Sequence, residues 1–230
     1  IFHPTYLILA AGIFTAFIAG DLFNLYVGFE ILLVASYVLL TLGASPQRVR
    51  SGIGYVMVSM ASSMVFLFAL ALVYASVGTM NMAQAGIRME ELPTGTQAAI
   101  FATFIVAFGI KAAIFPLDAW LPDSYPTAAS IVTAVFAGLL TKVGVYAIIR
   151  VRSTVFTDGS LDNTLMVVAL LTMIVGVMGA IAQNDIKRLM SFTLVSHIGY
   201  MIFGVALGSV AGLSGAIFYA VHHILVQTSL

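Results

Sequence analysis

Residues 108–130 read FGIKAAIFPLDAWLPDSYPTAAS, and they place charged residues and prolines in the middle of strongly apolar sequence. Lys111 comes first, and Pro116 and Pro122 follow it closely. Each proline removes a backbone donor and disfavours the helical conformation in the residue before it. The stretch therefore predicts a helix that is interrupted just after a lysine.

The rest of the chain shows which solvent surrounds this interruption. The 230 residues are 61% hydrophobic and only 8% charged, and the mean hydropathy is +1.11. Soluble domains carry about 25% charged residues, so the composition predicts an integral membrane protein. The net charge is zero and no basic tract is present, which argues against nucleic-acid binding. The chain has no cysteine, which excludes Cys-ligated iron–sulfur clusters and thiol catalysis, and we expect no cofactor.

Eight apolar runs approach or exceed the roughly 20 helical residues that cross a bilayer. They span residues 6–20, 22–42, 53–77, 98–125, 128–149, 165–182, 189–207 and 213–230. The fourth run contains the interruption, which we place around residues 114–119. A transmembrane barrel would instead need alternating segments of about ten residues. The sequence thus predicts a single all-α, polytopic bundle of about eight transmembrane helices.

Basic residues between the runs fall into two groups when successive loops are assigned to alternate faces. One face carries Arg48, Arg50, Lys187 and Arg188, and the other carries Arg88, Arg150 and Arg152. The small excess only weakly favours the first face as cytoplasmic. In the longest polar connection, residues 78–97, the part Met80 to Ile87 is expected to lie along the interface as a short amphipathic helix.

Apart from the two aspartates at the interruption, three charged residues lie deep inside the apolar runs: Glu30, Lys111 and Lys142. At 1.5 Å per residue, Glu30 lies about 12 Å into its run, and the two lysines lie about 20 Å into theirs. A charge at such depth costs about 2.5 to 3.5 kcal/mol and normally faces the bundle interior, paired with an opposite charge. The three residues therefore indicate a buried ionic chain. For Lys142 the alternative is that its long stem carries the ammonium to the membrane surface.

A broken helix in a membrane is tolerated only where it is buried in protein or lines water. In transporters such helices mark the path of an ion or substrate, because half-helix dipoles and free carbonyls create local charge there. A lysine at the C-terminal end of the first half-helix also meets a favourable dipole. The break at Pro116 and Pro122 therefore predicts a transport site at Lys111. The alternative is a proline kink that only shapes packing.

Histidines and aspartates supply further candidates. His197 is either a proton relay or an uncharged histidine with one interhelical hydrogen bond. His222 and His223 are adjacent, about 100° apart on a helix, so they cannot both face one cavity as an i, i+4 metal pair would. One of the two either continues the polar chain from Lys142 or makes hydrogen bonds that pack the helices. Metal binding is not expected. Asp118 and Asp123 either bind a cation at the break or cap the short half-helix.

Four stretches together resemble a known family. They are GDLFNLYVGFEILLVASYVLLTLG at 20–43, the opening stretch at 108–130, FAGLLTKVGVYAIIRV at 136–151 and NDIKRLMSFTLVSHIGYM at 184–201. They are similar to the antiporter-like membrane subunits shared by Mrp cation/proton antiporters and by the membrane arm of NADH:quinone oxidoreductase, complex I. The first stretch is most similar to the D-type subunit of the Mrp antiporter.

The resemblance implies a 14-helix subunit with two inverted repeats of five helices, each containing a broken helix. This chain would then be truncated at both ends, with the first repeat at about 1–150 and the start of the second at about 160–230. The family's functional glutamate and two lysines fall on Glu30, Lys111 and Lys142. Some members also carry a lysine late in the eleventh helix, where this chain has Gln227.

The function expected from the resemblance is proton translocation in a multisubunit sodium/proton antiporter, in a bacterial or archaeal plasma membrane. Expected partners are other membrane subunits, protons, a monovalent cation and the lipid bilayer. Such a subunit is not an enzyme. One alternative is the related pumping subunit of complex I, whose redox cofactors lie in other subunits. A second is a structural scaffold whose charges only fix helix register.

Overall fold

The computed structural model describes residues 1–230, and apart from one isolated β-bridge it is built of helices and loops. The first half contains α1 (Phe2–Ile18), α2 (Leu22–Leu40), α3 (Pro46–Val77), α4 (Met82–Met89), α5 (Thr94–Ala112) and α6 (Trp120–Ser124), then a 3-10 turn (Tyr125–Thr127). The second half contains α7 (Ser130–Val135), a π-helix (Phe136–Leu140), α8 (Thr141–Thr154), α9 (Asp162–Ile181), α10 (Ile186–Ala206) and α11 (Val210–Ser229).

Seven helical segments are long and apolar enough to cross a membrane, and α1 is a shorter apolar helix. One of the seven is the continuous rod Ser130–Thr154, formed by α7, the π-helix and α8. The all-helical, multi-pass architecture with eight apolar helices predicted from the sequence is confirmed.

Polar residues in the loops define where several helices begin. Asp21 accepts hydrogen bonds from the backbone N–H groups of the first turn of α2, and Ser45 does the same for α3, which begins with Pro46. Asp185 caps α10 in the same way. A short side-chain oxygen at this position satisfies donors that have no acceptor within the helix.

Small residues allow neighbouring helices to approach closely, as is common in membranes. A Cβ atom on Gly12 of α1 would lie 2.5 Å from the Leu32 backbone nitrogen of α2, and one on Gly28 would lie 2.8 Å from the Ala16 nitrogen. Large apolar side chains are exposed on the outer surfaces of nearly all the spanning helices. This arrangement suits a bundle that presents its apolar surface to lipid.

The predicted helix break is present. Helix α5 ends at Ala112, Ala113 adopts a left-handed conformation with φ 59°, and helix resumes only at Trp120. The observed break therefore covers residues 113–119, in close agreement with the predicted 114–119. The brief continuation expected toward Tyr125 is α6 together with the 3-10 turn that follows it.

Several predicted boundaries need correction. The third run was expected to begin at Ile53, but its helix begins at Pro46, because Ser45 caps its first turn. The run that holds Lys142 was expected to end at Ile149, but its helix continues through Thr154, because polar side chains do not interrupt the backbone hydrogen bonds and a basic residue, Arg152, is favourable in the last turn. The amphipathic helix expected at Met80 to Ile87 is instead Met82–Met89, because Asn81 caps its first turn.

Candidate functional site

Lys111 is the penultimate residue of α5 and lies directly before the break. Its side chain is buried, with 8% of the residue exposed. The Nζ atom donates a hydrogen bond of 3.2 Å to Ser63 Oγ on α3 and lies 5.0 Å from the centre of the Phe29 ring. A hydroxyl and an aromatic face both stabilise an ammonium without neutralising it. The lysine is therefore held by neutral groups.

Glu30 does not form the expected direct pair with Lys111. The two ion pairs shorter than 4.0 Å are Arg152–Asp162 and Arg188–Asp123, and Glu30 Oε1 is buried without a hydrogen-bond partner. The reason is helical geometry: successive residues point about 100° apart, and Phe29 is the one that faces the lysine.

A small cavity of about 20 Å³ lies beside Lys111. Its lining includes Phe29, Tyr55, Ser59, Lys111, Trp120 and Tyr125. A cavity of this size can hold one water molecule, and the hydroxyls of Tyr55 and Ser59 provide polar partners. The amine therefore adjoins a space in which a proton carrier fits.

The polar face of α3 was not predicted. Its members are Tyr55, Ser59, Ser62 and Ser63, all buried. Ser62 donates to the Ala107 carbonyl of α5 at 2.7 Å, and Tyr55 shares a 2.9 Å hydrogen bond with Ser36 of α2. Their separations of four, three and one residues place them on one side of a helix. This spacing within an apolar run was the signal available in the sequence.

Two further side chains hold the break and were also missed. Trp120 Nε1 donates to the Ile110 carbonyl at 2.9 Å, and Thr172 Oγ1 of α9 accepts a hydrogen bond of 3.0 Å from the Phe115 backbone N–H. Trp120 is the single tryptophan of the chain and lies next to the prolines, so its position was a usable signal. Thr172 gave none, because its contact depends on the tertiary fold.

The two prolines occupy different places at the break. Pro116 lies within it and is exposed. Pro122 is buried within α6 as the third residue of that helix, a position where the missing N–H would have no intrahelical acceptor. Pro116 is thus the proline that keeps α5 and α6 apart.

The capping role considered for the aspartates is wrong. Helix α6 begins after Ala119 without a side-chain cap. Asp123 instead forms an exposed ion pair of 3.0 Å with Arg188, which ties α6 to the start of α10. Asp118 is buried at the break. The cation-binding alternative stays a prediction.

Lys142 lies in the middle of the rod Ser130–Thr154, twelve residues from either end. Only 2% of the residue is exposed, and its Nζ donates to the Ala137 carbonyl of the π-helix at 2.5 Å. The amine thus turns back along its own helix and does not reach the membrane surface. The alternative of a snorkelling lysine is therefore wrong, because the irregular π-turn offers a nearer acceptor.

A cavity of about 350 Å³ adjoins Lys142 between α1, α8 and α11. Apolar side chains of α8 and α11 form most of its wall, and Tyr146 and Arg150 contribute polar groups. Lys142 therefore faces α11, the helix that carries the paired histidines.

The adjacent residues His222 and His223 differ in exposure, as expected from the angle between them. His223 is buried, with 2% exposed, whereas its neighbour His222 is exposed. The His223 ring lies 4.6 Å from the ring of His197 on α10. His197 Nδ1 shares a hydrogen bond of 2.5 Å with the Tyr219 hydroxyl on α11, the single interhelical bond considered for it. His223 has no hydrogen-bond partner on either ring nitrogen.

The helices that carry the two lysines are in close contact. A Cβ atom on Gly144 of α8 would lie 2.8 Å from the backbone nitrogen of Ala112 on α5. Lys111 and Lys142 are each within two residues of this contact. Titratable groups therefore follow one another from Glu30 on α2, through Lys111 and Lys142, to His223 on α11. Gln227, which replaces the lysine of some relatives, is also buried on α11.

Comparison with known proteins shows the family to which the chain is related. The family described as "NADH:quinone oxidoreductase/Mrp antiporter, TM" matches residues 19–230. The D subunit of the Na(+)/H(+) antiporter of Alkalihalophilus pseudofirmus is 42% identical over 232 residues, covering 100% of this chain and 47% of the relative. Its counterpart in Bacillus subtilis is 39% identical, covering 96% and 46%. The chain thus spans about half the length of the curated relatives it matches.

Solved structures agree as well. A chain of the Mrp complex from Dietzia sp. DQ12-45-1b superposes with a TM-score of 0.94 at 36% identity, covering 99% of this chain and 43% of that one. A chain of an archaeal respiratory complex, the membrane-bound sulfane sulfur reductase, superposes with a TM-score of 0.91 at 30% identity, covering 97% and 47%. The resemblance noted in the sequence is confirmed, and the chain belongs to the NADH:quinone oxidoreductase/Mrp antiporter transmembrane family.

Proposed function

We propose that this chain forms the proton-translocating part of a D-type subunit in a multisubunit sodium/proton antiporter. The observation that carries the proposal is the environment of Lys111, a buried amine at a helix break that bonds to a hydroxyl and to no carboxylate. A lysine that only stabilised the fold would normally be paired with an opposite charge. The names of the relatives support the same function.

In the proposed cycle Lys111 alternates between ammonium and free amine. A nearby carboxylate favours the charged form, and burial away from charge disfavours it. Glu30 is the neighbour of Phe29, which faces Lys111, and its Oε1 has no hydrogen-bond partner. A small rearrangement of α2 against α5 would therefore change the charge balance at the lysine and release or recapture its proton.

Lys142 would receive the proton on the far side of the α5–α8 contact. From there His223 is the next titratable group toward α11, with His197 beside it. No direct hydrogen bond joins Lys111 to Lys142 or Lys142 to His223. Transfer between these groups would thus use water in the adjoining cavities, since a carrier must span each gap.

The proposed setting is a hetero-oligomeric complex in a bacterial or archaeal plasma membrane, where other membrane subunits complete the transport path for sodium. In this setting the subunit is a secondary transporter component without catalytic chemistry of its own. The related pumping subunit of complex I is the second candidate, favoured by the similarity to a respiratory complex. The neighbouring genes distinguish the two: small antiporter subunits for the first, flavin and iron–sulfur subunits for the second.

Proton flux in inverted membrane vesicles tests the proposal. In the full complex we expect Lys111→Ala and Glu30→Gln each to abolish most sodium-dependent proton movement while the complex still assembles. Lys187→Ala and Glu91→Gln are matched controls, because both residues are exposed, and they should transport normally. Normal flux from both buried-site variants would leave the scaffold function as the better account.

A further inference from the structure

Thr172 connects the second half of the chain to the helix break. It lies on α9 and is fully buried. Its Oγ1 donates to the Val168 carbonyl of its own helix at 2.7 Å and accepts from the Phe115 N–H at 3.0 Å. The hydroxyl therefore uses its donor within α9 and offers a lone pair to the break.

The Phe115 N–H has few other possible acceptors. Helix α5 has ended at Ala112, so the regular pattern of helix hydrogen bonds no longer applies. The next residue is Pro116, which has no N–H to share the role. Phe115 is half-buried, and a backbone donor that loses its acceptor in an apolar environment is costly. The Thr172 bond thus fixes the course of the chain four residues after Lys111.

We propose that Thr172 is a positioning residue for the Lys111 site, holding the break through the Phe115 N–H. The inference rests on the proposed function for its effect on transport. It makes α9 part of the machinery around Lys111, although α9 contributes no charged group there. Loss of the hydroxyl would free the backbone at Phe115, move the amine relative to Ser63 and open the break to water.

A cysteine reporter measures the break directly, because this chain has no cysteine of its own. Ala119 is small, exposed and at the end of the break, so Ala119→Cys introduces a thiol there. The assembled complex, with any accessible cysteine elsewhere replaced, is treated with a membrane-impermeant maleimide. Labelling rate and sodium-dependent proton flux are then measured for Thr172→Val, Thr172→Ser and Thr103→Val. Thr103 is the control, because its hydroxyl bonds only to the Ala99 carbonyl of its own helix.

We expect Thr172→Val to raise the labelling rate and lower the flux, each at least about fivefold, as the loss of one partner of a buried hydrogen bond implies. Thr172→Ser keeps the hydroxyl and should match the unmodified protein in both measurements, as should Thr103→Val. If the valine variant does not accumulate, Thr172→Ala takes its place in the comparison with serine.

Two results would overturn the inference: unchanged labelling and flux in the valine variant, or a serine variant as impaired as valine. Failure of the proposed function gives a different pattern. In that case Lys111→Ala would transport normally while Thr172→Val still raised labelling, and the positioning of the break by Thr172 would stand without its link to transport.

Discussion

Lys111 donates its hydrogen bond to the Ser63 hydroxyl, 3.2 Å away on the neighbouring helix, and Glu30 lies outside ion-pair distance. Ser63 can keep a hydrogen bond to Lys111 in both charge states, because its hydroxyl accepts from the ammonium and can donate to the neutral amine. A carboxylate in the same place would strongly favour the ammonium. Ser63 thus suits a lysine that changes its charge.

Replacing Ser63 by aspartate tests this relationship. Ser63→Asp places a permanent acceptor beside Lys111, so we expect the ammonium to stay charged and most proton flux to be lost. Ser63→Ala should lower flux less, because it removes one hydrogen bond and adds no charge. Vesicle flux per assembled complex is the measurement, and Ser160→Asp in an exposed loop is the control. Wild-type flux in the aspartate variant would show that Lys111 can remain charged during transport.

Pro116 is the second target, since it lies in the break and Pro122 lies within α6. Pro116→Ala should permit a more continuous helix and reduce transport while expression holds. Pro46→Ala is the control, because Pro46 is at the first position of α3, where proline is tolerated. If Pro116→Ala transports like the unmodified protein, the break is maintained by other contacts or does not serve transport.

The break could be predicted from sequence because proline acts locally, through its missing donor and its fixed φ. The burial of Lys111 was predictable for a similar reason, since only depth in an apolar run was needed. The partner of Lys111 was not predictable. Whether Phe29 or Glu30 faces the lysine depends on the rotation of α2 against α5, and the continuous apolar sequence of α2 leaves that rotation open.

The sequence also could not decide whether the Lys142 amine reaches the membrane surface, because it does not show where the nearest hydrogen-bond acceptor lies. Distance from the helix end allowed its amine to reach the surface, but the π-turn provides the Ala137 carbonyl closer by. A π-helix of five residues has no clear sequence signature, so this acceptor could not be predicted.

The adjacent histidines are a case in which helix geometry alone was informative. The 100° between adjacent residues meant that only one of them could face inward, and in the structure that one is His223.

The contrast between the adjacent histidines gives the third prediction. His223→Gln removes a buried titratable group beside His197 and should lower proton flux substantially. His222→Gln makes the same chemical change on the exposed side of α11 and should leave flux unchanged. Dye-monitored flux in vesicles compares the two variants. Equal flux from both would remove His223 from the path and leave it a packing role.

The central claim is that buried lysines release their protons during transport, and Lys142→Arg tests it most directly. Arginine keeps the positive charge and a long stem but does not lose its proton in proteins. The measurement is dye-monitored proton movement on adding sodium to inverted vesicles, normalised to assembled complex, with Lys187→Arg as the exposed control. We predict that Lys142→Arg assembles normally and loses most flux, as Lys142→Ala does. Full flux in the arginine variant would contradict the account, because Lys142 would then never need to be neutral.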